Sequence, residues 1–165
     1  MKLNSLQDFY VTELRALFHT EQQIIKALPE MMDHAGSPDL RSALAQHMDH
    51  TRLHISRLEQ IFQKLNQSPK GQKSKGIEGI INDGEDMIDN DAPPAVCDAA
   101  LISAAQRIEH FEIAGYGTAR TFARRLGFED QAQLLNQTLQ EEGETDKKLT
   151  HLAESYINEE AKSAR

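Results

Sequence analysis

The chain has 165 residues and a formal net charge of −8, its 18 Lys and Arg interspersed with 26 Asp and Glu, a balance that argues against nucleic acid as a partner because phosphate neutralisation needs a basic stripe. Aromatic residues make up 5% and Trp is absent, so the chain is poor in what sheets favour, and its wealth of Ala, Leu, Gln and Glu predicts an all-α fold. The opening MKLNSLQDFY lacks a signal-peptide core, no run approaches the ~18 apolar residues of a spanning helix, and the lone Cys97 cannot close an internal disulfide, so a cytoplasmic protein with no membrane partner is expected.

The first helix is predicted from Ser5, an N-cap residue, to His34, where Ala-Gly-Ser-Pro closes it. Along it Tyr10, Leu14, Leu17, Glu21, Ile24, Leu28 and Met31 recur at alternating steps of four and three, and Glu21 is the only charge in the seam. Asp39, after Pro38, is read as opening a second helix through Leu44, His47, Thr51, His54, Leu58, Ile61 and Leu65, antiparallel to the first. Residues 66–76 turn to Asn, Gln, Ser, Pro, Lys and Gly, a connector composition. Ile77, Ile80, Ile81 and Ile88 then mark a short amphipathic helix in a long crossover that ends near Ala92-Pro93-Pro94. Its acids, Asp83, Glu85, Asp86, Asp89 and Asp91, lack the order of an EF-hand loop and read as a solvated face.

A third long helix is expected from Pro94 to Leu126, with Leu101, Ala105, Ile108, Glu112, Gly115, Ala119, Phe122 and Leu126 as its seam and Glu112 as the seam's only charge. Cys97 reads as a small residue near its start. Gly127 stops it, and a fourth helix follows from Glu129 to Glu160, leaving residues 161–165 as a frayed tail. Shifting the numbering by 91 places Gly36 on Gly127, Asp39 on Asp130, Leu44 on Leu135, Leu58 on Leu149 and Glu21 on Glu112. Two like hairpins joined by a long crossover, about residues 66–94, predict one ferritin-like four-helix bundle over residues 1–165, with a short fifth helix in the crossover.

A carboxylate in an apolar seam needs a partner or a cation, because burying it alone costs several kcal/mol. The second helix offers His47, His50 and His54 at spacings of three and four, which share one face. The fourth offers Glu141 and Glu142, of which Glu142 shares a seam with Leu135, Leu149, Leu152 and Tyr156. Glu109, three residues before Glu112, reads equally as a ligand or as a boundary ion pair. Three histidines on one helix are often merely polar, and His19, His34, His110 and His151 show free use of the residue here. Glu21, the His cluster, Glu112 and Glu142 nevertheless all fall near mid-helix, hence at one level, and mixed O/N ligation of this kind suits iron, manganese or zinc without ranking them.

ALPEMM, AALISAAQRIEHFEIAGYGTAR, RLGF and LLNQTLQEEGETDKKLTHLA together resemble the YciF/YciE family of bacterial ferritin-like stress proteins over nearly the whole chain. The resemblance implies a rubrerythrin-like bundle, a homodimer, a dinuclear site and no settled enzymatic activity. Carried over by position, it implies Glu21, Glu109, Glu112 and the pair Glu141/Glu142 as ligands, with the second helix contributing from His47 to His54. The family usually carries Glu at position 50, where this chain has His50, so a bridging carboxylate is lost unless Asp49 or a neighbour supplies it. Two functions stay open: a ferritin-like stress-response protein that handles iron, manganese or peroxide, and a non-enzymatic stress-induced dimer with no physiological metal. DNA protection is disfavoured by the charge.

Overall fold

The structure, a computed structural model, describes residues 4–88 and 91–164. Asp89 of the expected acidic face, the first three residues of the amino terminus and Arg165 of the expected tail lie outside the described residues. The long helices are α1 (Leu6–His34), α2 (Pro38–Leu65), α4 (Pro94–Arg125) and α5 (Glu129–Leu152), with α3 (Lys75–Glu85) in the crossover. No strand occurs among the described residues.

Local chemistry sets the ends. Ser5 Oγ accepts from the Asp8 N–H at 3.0 Å and caps α1. The cap of α2 is Ser37 rather than Asp39: its Oγ accepts from Leu40 N–H at 3.3 Å, and Pro38 takes the first helical position, where a missing N–H costs nothing. Asn66 ends α2 in the left-handed region at φ 50°, and Gly127, at φ +78°, turns α4 into α5. The equivalent turn between α1 and α2 works differently. There the buried Asp98 of α4 accepts from Gly36 N–H at 2.7 Å and Ser37 N–H at 2.8 Å, so a side chain from the other hairpin satisfies the turn. The two hairpins are thus alike in register but not in how their turns are held.

Neighbouring helices run antiparallel around the bundle. Phe9 meets Phe122 and Tyr116 meets Glu21 along the α1/α4 seam, while Gln46–Lys148, His54–Glu141 and Lys64–Asp130 step in opposite directions along α2/α5. The end of α2 therefore lies a bundle length from the start of α4, which the crossover must travel. Its helix α3 packs on α4 and α1, burying Ile77 completely, with Ile80 and Ile81 partly covered, while Ile88, expected in this helix, lies beyond its end and packs against the same cluster. Beside the site, Gly115 lets α4 approach α1 closely, since a Cβ there would lie 2.8 Å from Leu17 Cδ2.

The fourth long helix departs from the sequence expectation at its end. A π-helical turn, Ala153–Ile157, follows α5, and α6 (Asn158–Ser163) continues into the segment expected to fray. The wider turn delivers Tyr156, whose hydroxyl lies 2.6 Å from Ser37 Oγ and donates to Asp39 Oδ2 at 3.2 Å.

The apolar interior is in two parts. One gathers Ile24, Leu28, Leu40, Leu44, Leu101 and Leu149; the other gathers Tyr10, Leu14, Leu58, Ile61, Tyr116 and Leu135. At about 1.5–3 kcal/mol for each large side chain buried, these two clusters supply the main drive to fold. Between them lies a layer of buried Glu, His and Thr.

Asp98→Ala would leave two backbone N–H groups of the α1–α2 turn without their acceptor. We expect the thermal midpoint to fall by about 5–10 °C. Lys162→Ala, which removes only an exposed pair with Glu159, should leave it unchanged. Equal midpoints for the two variants would show that Asp98 does not hold the turn.

Candidate metal centre

Six side chains from four helices fill the layer between the apolar clusters: Glu21 of α1, His47 and His54 of α2, Glu109 and Glu112 of α4, and Glu142 of α5. All are at most 2% exposed. His47 and His54 are seven residues apart, two turns along one face. Glu109 and Glu112 are three apart and share theirs. Long uninterrupted helices make this possible, because only a mid-helix position carries a side chain to the bundle centre.

Among the described residues their ligand atoms form two groups, each within 4.8 Å: His47, Glu109, Glu112 and Glu142 in one, Glu21, His54 and Glu142 in the other. Glu142 belongs to both. His47 Nδ1 lies 2.9 Å from Glu109 Oε1, and its Nε2 lies 3.8 Å from Glu112 Oε2 and 3.9 Å from Glu142 Oε2. His54 Nδ1 lies 2.9 Å from Glu142 Oε1 and 3.3 Å from Glu21 Oε1.

These approaches are close, but their angles are not those of hydrogen bonds. Among the described residues, both oxygens of Glu109, Glu112 and Glu142, together with Glu21 Oε2, His47 Nε2 and His54 Nδ1, have no hydrogen-bond partner. Buried polar atoms in folded proteins are nearly always bonded, so a convergent set without partners is a site shaped for something else. Carboxylate oxygens and imidazole nitrogens aimed at common points fit first-row divalent cations, and a carboxylate shared by two groups fits a pair of them. The residues present therefore fit the metal that the fold class implies.

The electrostatics of the metal-free chain agree. Burial, reinforced by the facing charge of Glu142, holds Glu109 and Glu112 well above the usual carboxyl range. Burial also pushes His47 down. For His54 burial works in the same direction but is outweighed by Glu21, Glu141 and Glu142, and the imidazole is pushed up to about 11. Glu142 is held down despite its burial, by the contact and charge of His54. Without a cation these shifts favour the neutral carboxyl at Glu109 and Glu112 and the charged imidazole at His54.

Two of the residues singled out in the sequence fall elsewhere. Glu141 sits beyond His54, partly exposed, in a pair with Arg57. His50 is half-buried and in neither group, its ring centre 6.2 Å from that of His54, although its Nδ1 is buried without a hydrogen-bond partner like the donors of the layer. The inward position of that turn is Thr51, fully buried, and the same shift of 91 places Thr51 on Glu142. Glu109, which the sequence leaves between ligand and boundary, is completely buried.

Sequence reasoning missed Arg57 and Tyr116. The Tyr116 hydroxyl donates to Glu21 Oε1, its ring meets that of His54 edge-on at 6.1 Å, and burial, then the charge of Glu21, pushes the phenol up. Its place four residues after Glu112, on the same face, was the available signal.

Comparison with known proteins follows the same lines. A family described as a domain of unknown function (DUF892) matches residues 5–162. Protein YciF of Escherichia coli K12 is 35% identical over 164 residues, 99% of each chain. The crystal structure of the E. coli stress protein YciF aligns with a TM-score of 0.90 at 36% identity, covering 94% of this chain and 99% of that one. A protein of Rhodopseudomonas palustris described as YcfI, a putative structural protein, aligns with a TM-score of 0.87 at 38% identity, covering 90% and 95%. Among the described residues no helix is long and apolar enough to cross a membrane.

The buried acids predict an unusual pH dependence for the metal-free chain. Between the ordinary carboxyl value and their raised ones, folded Glu109 and Glu112 hold protons that the unfolded chain has released, so stability falls as pH rises through that window. His54 acts in the same direction: its contribution is complete below about 6.5 and is lost as pH rises through about 11. Glu141, lowered to about 2 because Arg57 and His54 outweigh its partial burial, acts oppositely, with its contribution lost as pH falls from about 4.5 towards 2. Thermal melts in chelator should thus show a midpoint that declines from about pH 6 to pH 9. Glu112→Gln should raise the midpoint at pH 8 and reduce the slope by up to about 1.4 kcal/mol per pH unit. A wild-type midpoint that climbs over this range would mean that the acids are already ionised in the fold.

Proposed function

The chain belongs to the DUF892 family of YciF-like proteins, and we propose that within it this bundle is a ferritin-like stress-response protein holding two first-row divalent ions, iron or manganese, for metal or peroxide handling. The observation that carries this reading is the membership of Glu142 in both ligand groups. One carboxylate reaching two groups is how a bundle brings two cations close together, and the four buried acids Glu21, Glu109, Glu112 and Glu142 would balance the charge of two divalent ions. Zinc competes for the same donors.

Bound iron or manganese would supply the electron transfer that no side chain here provides. The chain's own part is to hold and to exclude. Glu21, His54 and Glu142 would hold one ion; His47, Glu109 and Glu112, with Glu142, would hold the other. The flanking apolar clusters keep bulk water away, and the Tyr116 hydroxyl fixes one oxygen of Glu21 and leaves Oε2 free. Loading would displace the protons of Glu109, Glu112 and His54, so affinity should strengthen as pH rises.

A second reading has its own support: the R. palustris relative is described as a putative structural protein. On that reading the buried acids and histidines set register in a stress-induced dimer and no metal is bound.

Metal analysis separates the two. Chain prepared without chelators or a nickel column, then loaded with Mn(II) or Fe(II) and desalted, should retain two ions, and Glu142→Gln should retain one or none. His50→Ala should leave the count at two. A wild-type chain that retains no ion would sink the metal reading and leave the structural one.

Both readings include a homodimer, which the broad lateral faces of long bundle helices can accommodate through an isologous contact. Sedimentation at micromolar concentration should give about twice the 18.6 kDa chain mass, and a stable interface should bury at least ~1,000 Å² in total. A single species at the monomer mass would end that part of the proposal.

A further inference from the structure

The partly exposed pair next to His54 treats the two histidines of the layer differently. Glu141 Oε2 accepts from His54 Nε2 at 2.8 Å. Arg57 grips the same carboxylate as a fork, Nη1 to Oε2 at 2.6 Å and Nη2 to Oε1 at 2.8 Å, and Nη1 also donates to Thr138 Oγ1 at 3.1 Å. Both oxygens of Glu141 are therefore engaged, one of them twice. Its side chain is 25% exposed, whereas those of Glu21, Glu109, Glu112 and Glu142 are at most 1% exposed. Glu141 is thus built into a shell around the layer, although its neighbour in sequence, Glu142, lies within it.

The consequence falls on His54. With Nε2 committed to Glu141, only Nδ1 is left for the interior, and Nδ1 is the atom that has no hydrogen-bond partner and faces Glu142 and Glu21. His47 has no such constraint. Its Nδ1 and Nε2 both face acids of the layer, Glu109 on one side and Glu112 and Glu142 on the other, and among the described residues no carboxylate outside the layer decides between them.

We infer that Glu141, clamped by Arg57, is a positioning residue that fixes which nitrogen His54 presents, so that the Glu21–His54–Glu142 position is preorganised and takes a divalent cation before the His47 position does. This rests on the metal reading above and adds to it an order of filling and a residue responsible for the order. A carboxylate on the outer nitrogen of a ligating imidazole orients the ring and raises its basicity, and losing such a partner typically weakens metal binding about 10–100-fold. At the His47 position no such partner fixes which nitrogen carries the proton, so the tautomer is selected as the ion loads, which costs affinity.

The experiment is a Zn(II) titration of the metal-free full chain against a competing chromophoric chelator, with imidazole nitrogens followed by NMR. The wild-type chain should take two ions, the first more tightly, with His54 bound through Nδ1 and protonated at Nε2. Glu141→Ala should weaken the first ion by about 10–100-fold, leave the second within about 3-fold, and give His54 a mixture of ring states. Glu141→Gln, which keeps an acceptor for the Nε2 proton, should preserve the ring state and lose less affinity. A merely structural role would instead lower the melting midpoint while both affinities and the ring state of His54 stayed as in wild type, and that result would overturn the inference.

Should Glu141→Ala fail to fold, the Gln variant decides alone: first-ion affinity reduced with His54 still bound through Nδ1 supports the inference, and wild-type affinity overturns it. Absence of zinc binding by the wild-type chain would overturn the metal reading and this inference together. Zinc bound alike by wild-type and both variants overturns only the inference.

Discussion

Four carboxylates buried at one level of a helical bundle are the constraint on which the rest of this structure depends. Glu21, Glu109, Glu112 and Glu142 are each 0% exposed, and such groups are tolerated only with a proton, a partner or a cation. In the metal-free chain the compensation is divided. Glu109 and Glu112 hold on to protons well past their usual range because burial and Glu142 oppose their charge, while His54 supplies a positive charge against Glu142 and Glu21. The apolar clusters on either side supply the hydrophobic stabilisation that can carry such a layer. That arrangement is a poor choice for stability alone, since well-packed apolar residues would do at least as well in the same volume.

The rest of the architecture keeps those carboxylates level. Ligands come from four helices, so an error in the register of any one would pull a donor out of the layer. Register is set far from the site. Asp98 ties α4 to the α1–α2 turn, Tyr156 ties the end of the last helix to the same turn through Ser37 and Asp39, and Tyr10 donates to Gln131 at 2.9 Å across the opposite end. Between these ends the α2/α5 seam is stitched by Gln46–Lys148, Arg57–Glu141 and Lys64–Asp130, and α1/α4 by the close approach of Leu17 to Gly115.

Much of this was legible in the sequence, for a reason that also marks its limit. Helical periodicity reports which residues of one helix share its inner face, so Glu21 and Glu112 stood out as the only charges in apolar seams, and Glu142 as the inward member of an acidic run. The same periodicity gave the four long helices and the short one in the crossover. It carries no information about which helix lies opposite. Arg57 and Tyr116 take their importance from Glu141 on α5 and Glu21 on α1, partners 84 and 95 residues away; Arg57 does not stand out on its own helix, and Tyr116 does so only through its spacing from Glu112. His50 drew attention as the middle of a histidine triplet, yet the inward residue of that turn is Thr51. The π-helical turn at Ala153–Ile157 was invisible for a related reason, because a single inserted residue shifts the phase of a pattern that the last few residues are too short to display.

The internal repeat is informative where it breaks. The shift of 91 maps Glu21 onto Glu112, and both are buried acids, but it maps Thr51 onto Glu142 and His54 onto Thr145, all of them buried. A symmetric site would carry an acid and a histidine on each of α2 and α5. Here α5 supplies the acid and α2 both histidines, while Glu109 of α4 maps back onto Phe18, an apolar residue in the other cluster. The group around His47 therefore has three acids and one imidazole, and the group around His54 has two acids and one imidazole. Because Coulomb attraction for a cation grows with each ionised acid while the cost of ionising neighbouring acids grows too, the more acidic group is also the one in which two carboxyls, Glu109 and Glu112, are raised well above their usual range. Charge count alone would give the His47 group the stronger claim on a cation; protons must leave both groups, from Glu109 and Glu112 in one and from His54 in the other, so the proposed order rests on the ring that Glu141 holds at His54.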